Sequence, residues 1–269
     1  AIISGLVGSE MCIRDRRKDI QNESLAEIAI DPDVLAKELS VDLEIDPLEQ
    51  IDKDGFSRGT LNQNLECDEA LKLLKGDREQ RIQGLRIFCE YRDTRSFPLL
   101  IPLLDQPCPV ERMSAVYALG RNPFPSAVEK LVSLLETDDN AYVRRATAWS
   151  LANYDNQIVL KPLINSLKND VASVRLWSSS SLAEIGSISS SNARLAAEQL
   201  LISLKIDNEP VVRSNCIWSL CRLFEKLNEI LQESFIDECT KIALFDKEPS
   251  VMDEAKTALD SMGMKGFYN

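Results

Sequence analysis

The chain has 269 residues, a formal net charge of −12 and no histidine. Without histidine it cannot assemble a Ser–His–Asp or Cys–His centre, or a His-containing zinc site, from its own residues. Its acidity argues against nucleic-acid binding, and its apolar runs are too short and too often broken by charge to cross a bilayer.

Residues 1–16, AIISGLVGSEMCIRDR, resemble translated sequencing-adapter read-through. They lack the long apolar stretch and small-residue cleavage site of a signal peptide. They are expected to be non-native, and Cys12 with them. The remaining six cysteines, with no CxxC pair and no export signal, are expected as reduced thiols in a cytoplasm.

Residues 17–66 alternate acids with isolated aliphatics such as Leu25, Ile28, Leu35, Leu39 and Leu43. Between 19 and 54 stand twelve acids and two lysines, Lys37 and Lys53, so most of the net charge belongs here. Pro32 and Pro47 interrupt any long helix. The composition predicts a largely disordered acidic segment, either a solvating tail or one that docks on a basic surface or folds back over the rest.

From residue 67 to 269 a motif recurs. An arginine, once a methionine, precedes a large apolar residue by seven positions, with small residues between. The instances are Arg81/Phe88, Arg112/Leu119, Arg144/Leu151, Arg175/Leu182, Arg213/Leu220 and Met252/Leu259. Successive motif positions lie 31, 32, 31, 38 and 39 apart. A period in this range predicts an all-α solenoid of about six helical hairpins, in which each repeat buries its apolar face on its neighbours. Positions +3, +4 and +7 share one helix face and form the expected core.

Local signals place the helix ends. Pro109, Pro210 and Pro249 suit the first turn of a helix. Asp77, Asp139 and Asp170 are expected N-terminal caps, and Gly120 and Gly186 are expected C-terminal stops. The two wider spacings predict longer turns at 187–194 and 226–233. The motif arginines are expected to bond an aspartate or a backbone carbonyl of a neighbouring turn.

ERMSAVYALGRNP at 111–123, YVRRATAWSLANY at 142–154 and VVRSNCIWSLCRL at 211–223 resemble HEAT repeats of the phycobilisome-lyase-like subtype. FCEYRD at 88–93, DQPCPVERMSAVYALGRNP at 105–123, SVRLW at 173–177 and VVRSN at 211–215 resemble a cyanobacterial group within it. That group is related to E/F-type bilin lyases. It includes a phycobilisome-degradation factor and a protein that interacts with an iron–sulfur scaffold. The resemblance covers roughly 68–262. It implies a scaffold or chaperone-like factor with a phycobiliprotein or iron–sulfur scaffold as partner. The alternative is a bilin lyase, or lyase subunit, that attaches the bilin to a phycobiliprotein cysteine. Met252, Phe88 and Ser180–Ser181 depart from the pattern.

In such arrays the motif helices line the concave face, and positions +2, +5 and +9 point away from the core. There stand Arg86, Tyr117, Arg121, Trp149, Trp177, Trp218 and Arg222, which include all three tryptophans. Such residues dominate binding hot spots and would also suit the rings and propionates of a tetrapyrrole. The other reading is that each tryptophan packs between motif helices as core. Cys89 and Cys108 could approach across one repeat interface and hold an iron–sulfur cluster with a partner, or relay a bilin. The other reading is that they are small buried hydrophobes. No phosphate loop, paired-carboxylate site or nucleophile motif is present.

Overall fold

The computed structural model describes residues 60–264. The expected artefact and all of the acidic run from 19 to 54 lie outside the described residues. The expected boundary at 66/67 falls inside the first described helix, Thr60–Leu73.

Among the described residues all regular structure is helical. The α-helices are α1 Thr60–Leu73, α2 Arg78–Glu90, α3 Phe97–Leu100, α4 Pro109–Arg121, α5 Val128–Thr137 and α6 Ala141–Leu151. They continue with α7 Leu160–Asn169, α8 Ala172–Gly186, α9 Ser190–Ile206, α10 Pro210–Leu223, α11 Glu229–Phe245 and α12 Pro249–Ser261. The even-numbered helices carry the motif. Each follows a companion helix, giving six helical hairpins and the expected all-α repeat fold. The chain divides into two compact units between Ser150 and Leu151. In the first unit α2 packs on α4, and in the second α8 packs on α10 and α10 on α12.

The motif supplies the core as expected. Phe88, Leu119, Leu151, Leu182, Leu220 and Leu259 are all fully buried. Each contributes about 2 kcal/mol by leaving water.

The arginines tie the turns. Arg81 donates to the carbonyl of Gly76, Arg112 to those of Gln106 and Pro107, and Arg144 to those of Asp138 and Asp139. Arg175 donates to Asp170 O, and Arg213 to the carbonyls of Asp207 and Asn208. Arg112, Arg175 and Arg213 also hold a carboxylate of the next turn in two-point fashion: Asp138 at 2.8 and 2.9 Å, Asp207 at 2.7 and 2.8 Å, Asp246 at 3.1 and 2.7 Å. The same aspartates accept backbone N–H bonds from Asn140, Glu209 and Glu248. One carboxylate therefore shapes its own turn and anchors the preceding repeat.

Repeat two departs from this rule and repairs it. Gln106 stands where the turns before Arg144, Arg213 and Met252 carry Asp138, Asp207 and Asp246, so Arg81 has no carboxylate at that position to meet. Glu111, one residue before Arg112, supplies it at 2.7 Å. The equivalent positions Val143, Val174, Val212 and Val251 are buried valines. Glu111 is equally buried, and its charge is tolerated there because the Arg81 guanidinium is hydrogen-bonded to it.

Several helix-end expectations need correction. Pro109, Pro210 and Pro249 do open their helices, and Asp77 caps α2 in a reciprocal box with Gln80. For α6, however, the cap is Asn140, whose Oδ1 accepts from Tyr142 N, rather than Asp139. The Asp170 side chain accepts from Val171 N, the residue before α8. Gly120 lies inside α4, whereas Gly186 is the last residue of α8, as expected; neither adopts positive φ, and among the described residues only Gly263 does, at 80°. The wider spacings come from longer companion helices. α9 and α11 have 17 residues each, against 10 for α5 and α7, and Ser189 and Asn228 cap them. The serines and asparagines read as turn residues are helix starts.

Candidate protein-binding face

Motif-helix positions +2, +5 and +9 carry the candidate residues. In the first unit, Arg86 at +5 and Glu90 at +9 are exposed on α2, and Tyr117 and Arg121 are half-buried on α4. Trp149 is half-buried on α6. Its ring lies 5.4 Å from that of Tyr117, tilted by 58°, and covers Gly120. A Cβ on Gly120 would collide with the Trp149 ring, so glycine here is required by close approach rather than by a helix stop. Both readings of Trp149 therefore hold in part. One edge seals the α4–α6 contact, and the remainder meets solvent.

Two residues that the periodic reading passed over join this cluster. Arg145 donates to Tyr117 Oη at 3.4 Å, and its guanidinium stands 5.4 Å from the Tyr142 ring centre. The sequence signal was the doublet Arg144–Arg145, where the other arginine-bearing repeats have a single basic residue. Arg144 turns inward to the backbone and leaves Arg145 to the outer face.

In the second unit, Trp177 is half-buried on α8 and Trp218 on α10. Arg222 stacks 5.1 Å from the Trp218 ring centre and pairs with Glu184 at 2.7 Å. Here the aromatic face and the guanidinium already have partners within the chain. At the equivalent +5 position of α8, Ser180 is buried. Asn215 reaches across from α10 to Ser179 and Ser180, 2.7 Å from each hydroxyl, and Ser219 donates to Ser179 O. The serine run is thus a hydrogen-bonded seam between closely packed helices.

Cys89 donates towards Ser114 O, six residues along from Cys108, at the N-cap of α4. Burial pushes the Cys89 thiol up to about 12, with Arg121 opposing the shift. This half-buried thiol is thereby kept mostly from the thiolate form that metal ligation and bilin attachment use. Cys221 is likewise raised by burial to about 12, and burial raises Cys216 and Cys239 as well. Among the described residues no group of three or more Cys, Asp or Glu is arranged to hold a metal ion.

The family model for HEAT repeats matches residues 68–152 and 128–221, together more than half of the chain. The chain belongs to the HEAT-repeat family. No curated protein matches it. Among solved structures it is similar to a designed armadillo repeat protein, at 18% identity and a TM-score of 0.51, over 76% of this chain and all of that one. An engineered protein matches at 21% identity and a TM-score of 0.49, over 81% of this chain and 98% of that one. These likenesses concern the fold. Among the described residues, no helix of this HEAT array is long and apolar enough to cross a membrane.

Proposed function

We propose that this HEAT array is a non-enzymatic binding scaffold that grips a segment of a partner protein on its motif helices. The observation that carries this reading is the Tyr117–Trp149–Arg145 cluster in the first unit, with Arg86 and Arg121 at the +5 and +9 positions of α2 and α4. Rigid aromatic rings offer contact area at low entropic cost, and guanidinium groups offer oriented donors to carboxylates and carbonyls. The subtype resemblance directs the scaffold to phycobilisome assembly or turnover, or to iron–sulfur delivery. Phycobiliproteins and an iron–sulfur scaffold are the respective partners.

The test is capture from a phycobilisome-containing lysate with the wild-type chain and with Arg145→Glu. Recovery of a phycobiliprotein or an iron–sulfur scaffold by the wild type, lost in the variant, supports the reading. Equal recovery by both chains overturns this placement.

The second reading is a bilin lyase that positions the chromophore while the substrate protein's own cysteine attacks. The same aromatic and arginine groups favour it, and it needs no histidine. It predicts that the wild-type chain shifts the absorbance of free phycocyanobilin and that Trp149→Ala loses the shift. A scaffold leaves the spectrum unchanged.

A further inference from the structure

In the second unit the companion helices end in one row. The Arg213 guanidinium donates to the carbonyl of Asp207 at 3.0 Å and to the carboxylate of Asp246 at 2.7 Å. It therefore holds the ends of α9 and α11 side by side, with Ile206 and Phe245 as their last residues. Arg175 joins the ends of α7 and α9 in the same way, through Asp170 O and the Asp207 carboxylate.

Counted back from these ends, the same three exposed positions change character along the row. α7 carries Asn165, Lys168 and Asn169 there, and α5 of the first unit carries Ser133, Glu136 and Thr137. α9 carries Ile202, Lys205 and Ile206, and α11 carries Lys241, Leu244 and Phe245. The repeat accepts polar residues at this register, so folding does not require the four large apolar side chains. Water reaches them nonetheless: Ile202 is 49% exposed, Ile206 71%, Leu244 43% and Phe245 79%. They form one patch on the order of a few hundred Å², a size that monomeric proteins rarely leave open without a use.

Charge and area select the occupant. Lys205 and Lys241 stand 3.8 and 3.5 Å from Glu238, and Asp237 is exposed next to it. Two lysines against two acids leave the patch without net charge, on a chain of −12. An anionic surface gains nothing there, whereas two copies of an acidic chain meet where their repulsion is least. A standard interface covers about 800 Å² on each partner, somewhat over half of it apolar. The four side chains offer apolar surface on that scale. We propose that the ends of α9 and α11 pack against the same patch of a second copy of this chain, with Ile206 and Phe245 at the centre of the contact. The contact uses companion helices and leaves the motif-helix face free, so it stands independently of the scaffold reading.

The test is analytical ultracentrifugation of the full chain over a concentration series through the micromolar range. The wild type should pass from monomer to dimer, and Phe245→Asp should weaken the dimer by about tenfold or more. Ile206→Glu should do the same, so the result does not hang on one variant. Both changes fall on exposed positions and should leave the circular dichroism spectrum unchanged. Hydrogen exchange in the wild type should slow with rising concentration at the last turns of α9 and α11. The dimer should persist at about 1 M salt, where exposed ion pairs are screened. Loss of the dimer in that salt would assign it to charge and overturn the proposal. A wild-type chain that stays monomeric throughout overturns it, as does a dimer that both acidic variants leave intact. So does a monomer that pellets with phosphatidylcholine vesicles, which would make the patch a lipid contact.

Discussion

The Trp149 ring occupies the space that a side chain at position 120 would fill, so Gly120 and Trp149 form one packing unit across two repeats. Alanine in a helix interior ordinarily improves on glycine by about 1 kcal/mol. Here Gly120→Ala should instead destabilise by about 1–3 kcal/mol through overpacking. In a Trp149→Ala background the same substitution should become neutral or stabilising. Urea unfolding of the four chains reads this coupling, and additive effects would show that the two residues do not share space.

The Arg81–Glu111 pair predicts an asymmetry between one change and two. Glu111→Ala leaves a largely buried guanidinium without its carboxylate and should cost about 3 kcal/mol. The double change Arg81→Met with Glu111→Val should cost far less. It introduces the residue types that repeat six already uses at Met252 and that the later repeats use at Val143, Val174 and Val212. Equal losses in the single and double variants would contradict the compensation argument.

Two carboxylates give opposite pH signatures. Burial alone would raise Asp246, but hydrogen bonds from Arg213 and from the backbone of Glu248 leave it below the usual 3.8. A depressed acid contributes stability above its unfolded value, and that stability fades as pH falls through the folded value. Asp246→Asn should therefore lower the thermal midpoint at pH 7 and flatten its fall in acid. Glu254 is raised above 4.5 by burial. Its favourable state is the protonated one, so its contribution is full below the unfolded value and is lost as pH rises. Glu254→Gln should raise the midpoint at pH 7 and change little at low pH. The opposite sign in either variant refutes the corresponding assignment.

Cys89 should be slow to alkylate. A rise from 9.0 to about 12 cuts its thiolate fraction at neutral pH about a thousandfold. Peptide mapping after brief iodoacetamide treatment of the native chain should find Cys89 unmodified, with modification appearing in urea. Rapid native labelling would reopen a ligand or relay role for this thiol.

The sequence by itself determined the repeat. Its period, the buried residue at +7, the prolines at helix starts and the inward arginines all follow from local periodicity and backbone chemistry, and each is found where the spacing put it. Local pattern failed where the reason for a residue lay in another repeat or where two local structures share one chemistry. Gly120 looked like a helix stop, because its reason is the ring of Trp149, twenty-nine positions away. The Ser-rich stretch at 187–194 looked like a turn, because serine caps and serine turns share one local chemistry. The candidate face was half legible. The periodic rule found Tyr117 and Trp149 but missed Arg145, whose direction is set by Arg144 taking the inward bond. It named Arg222 but not Glu184, which pairs with it. Side-chain identity at a register position is local information. What fills the space beside it is decided only when distant helices pack.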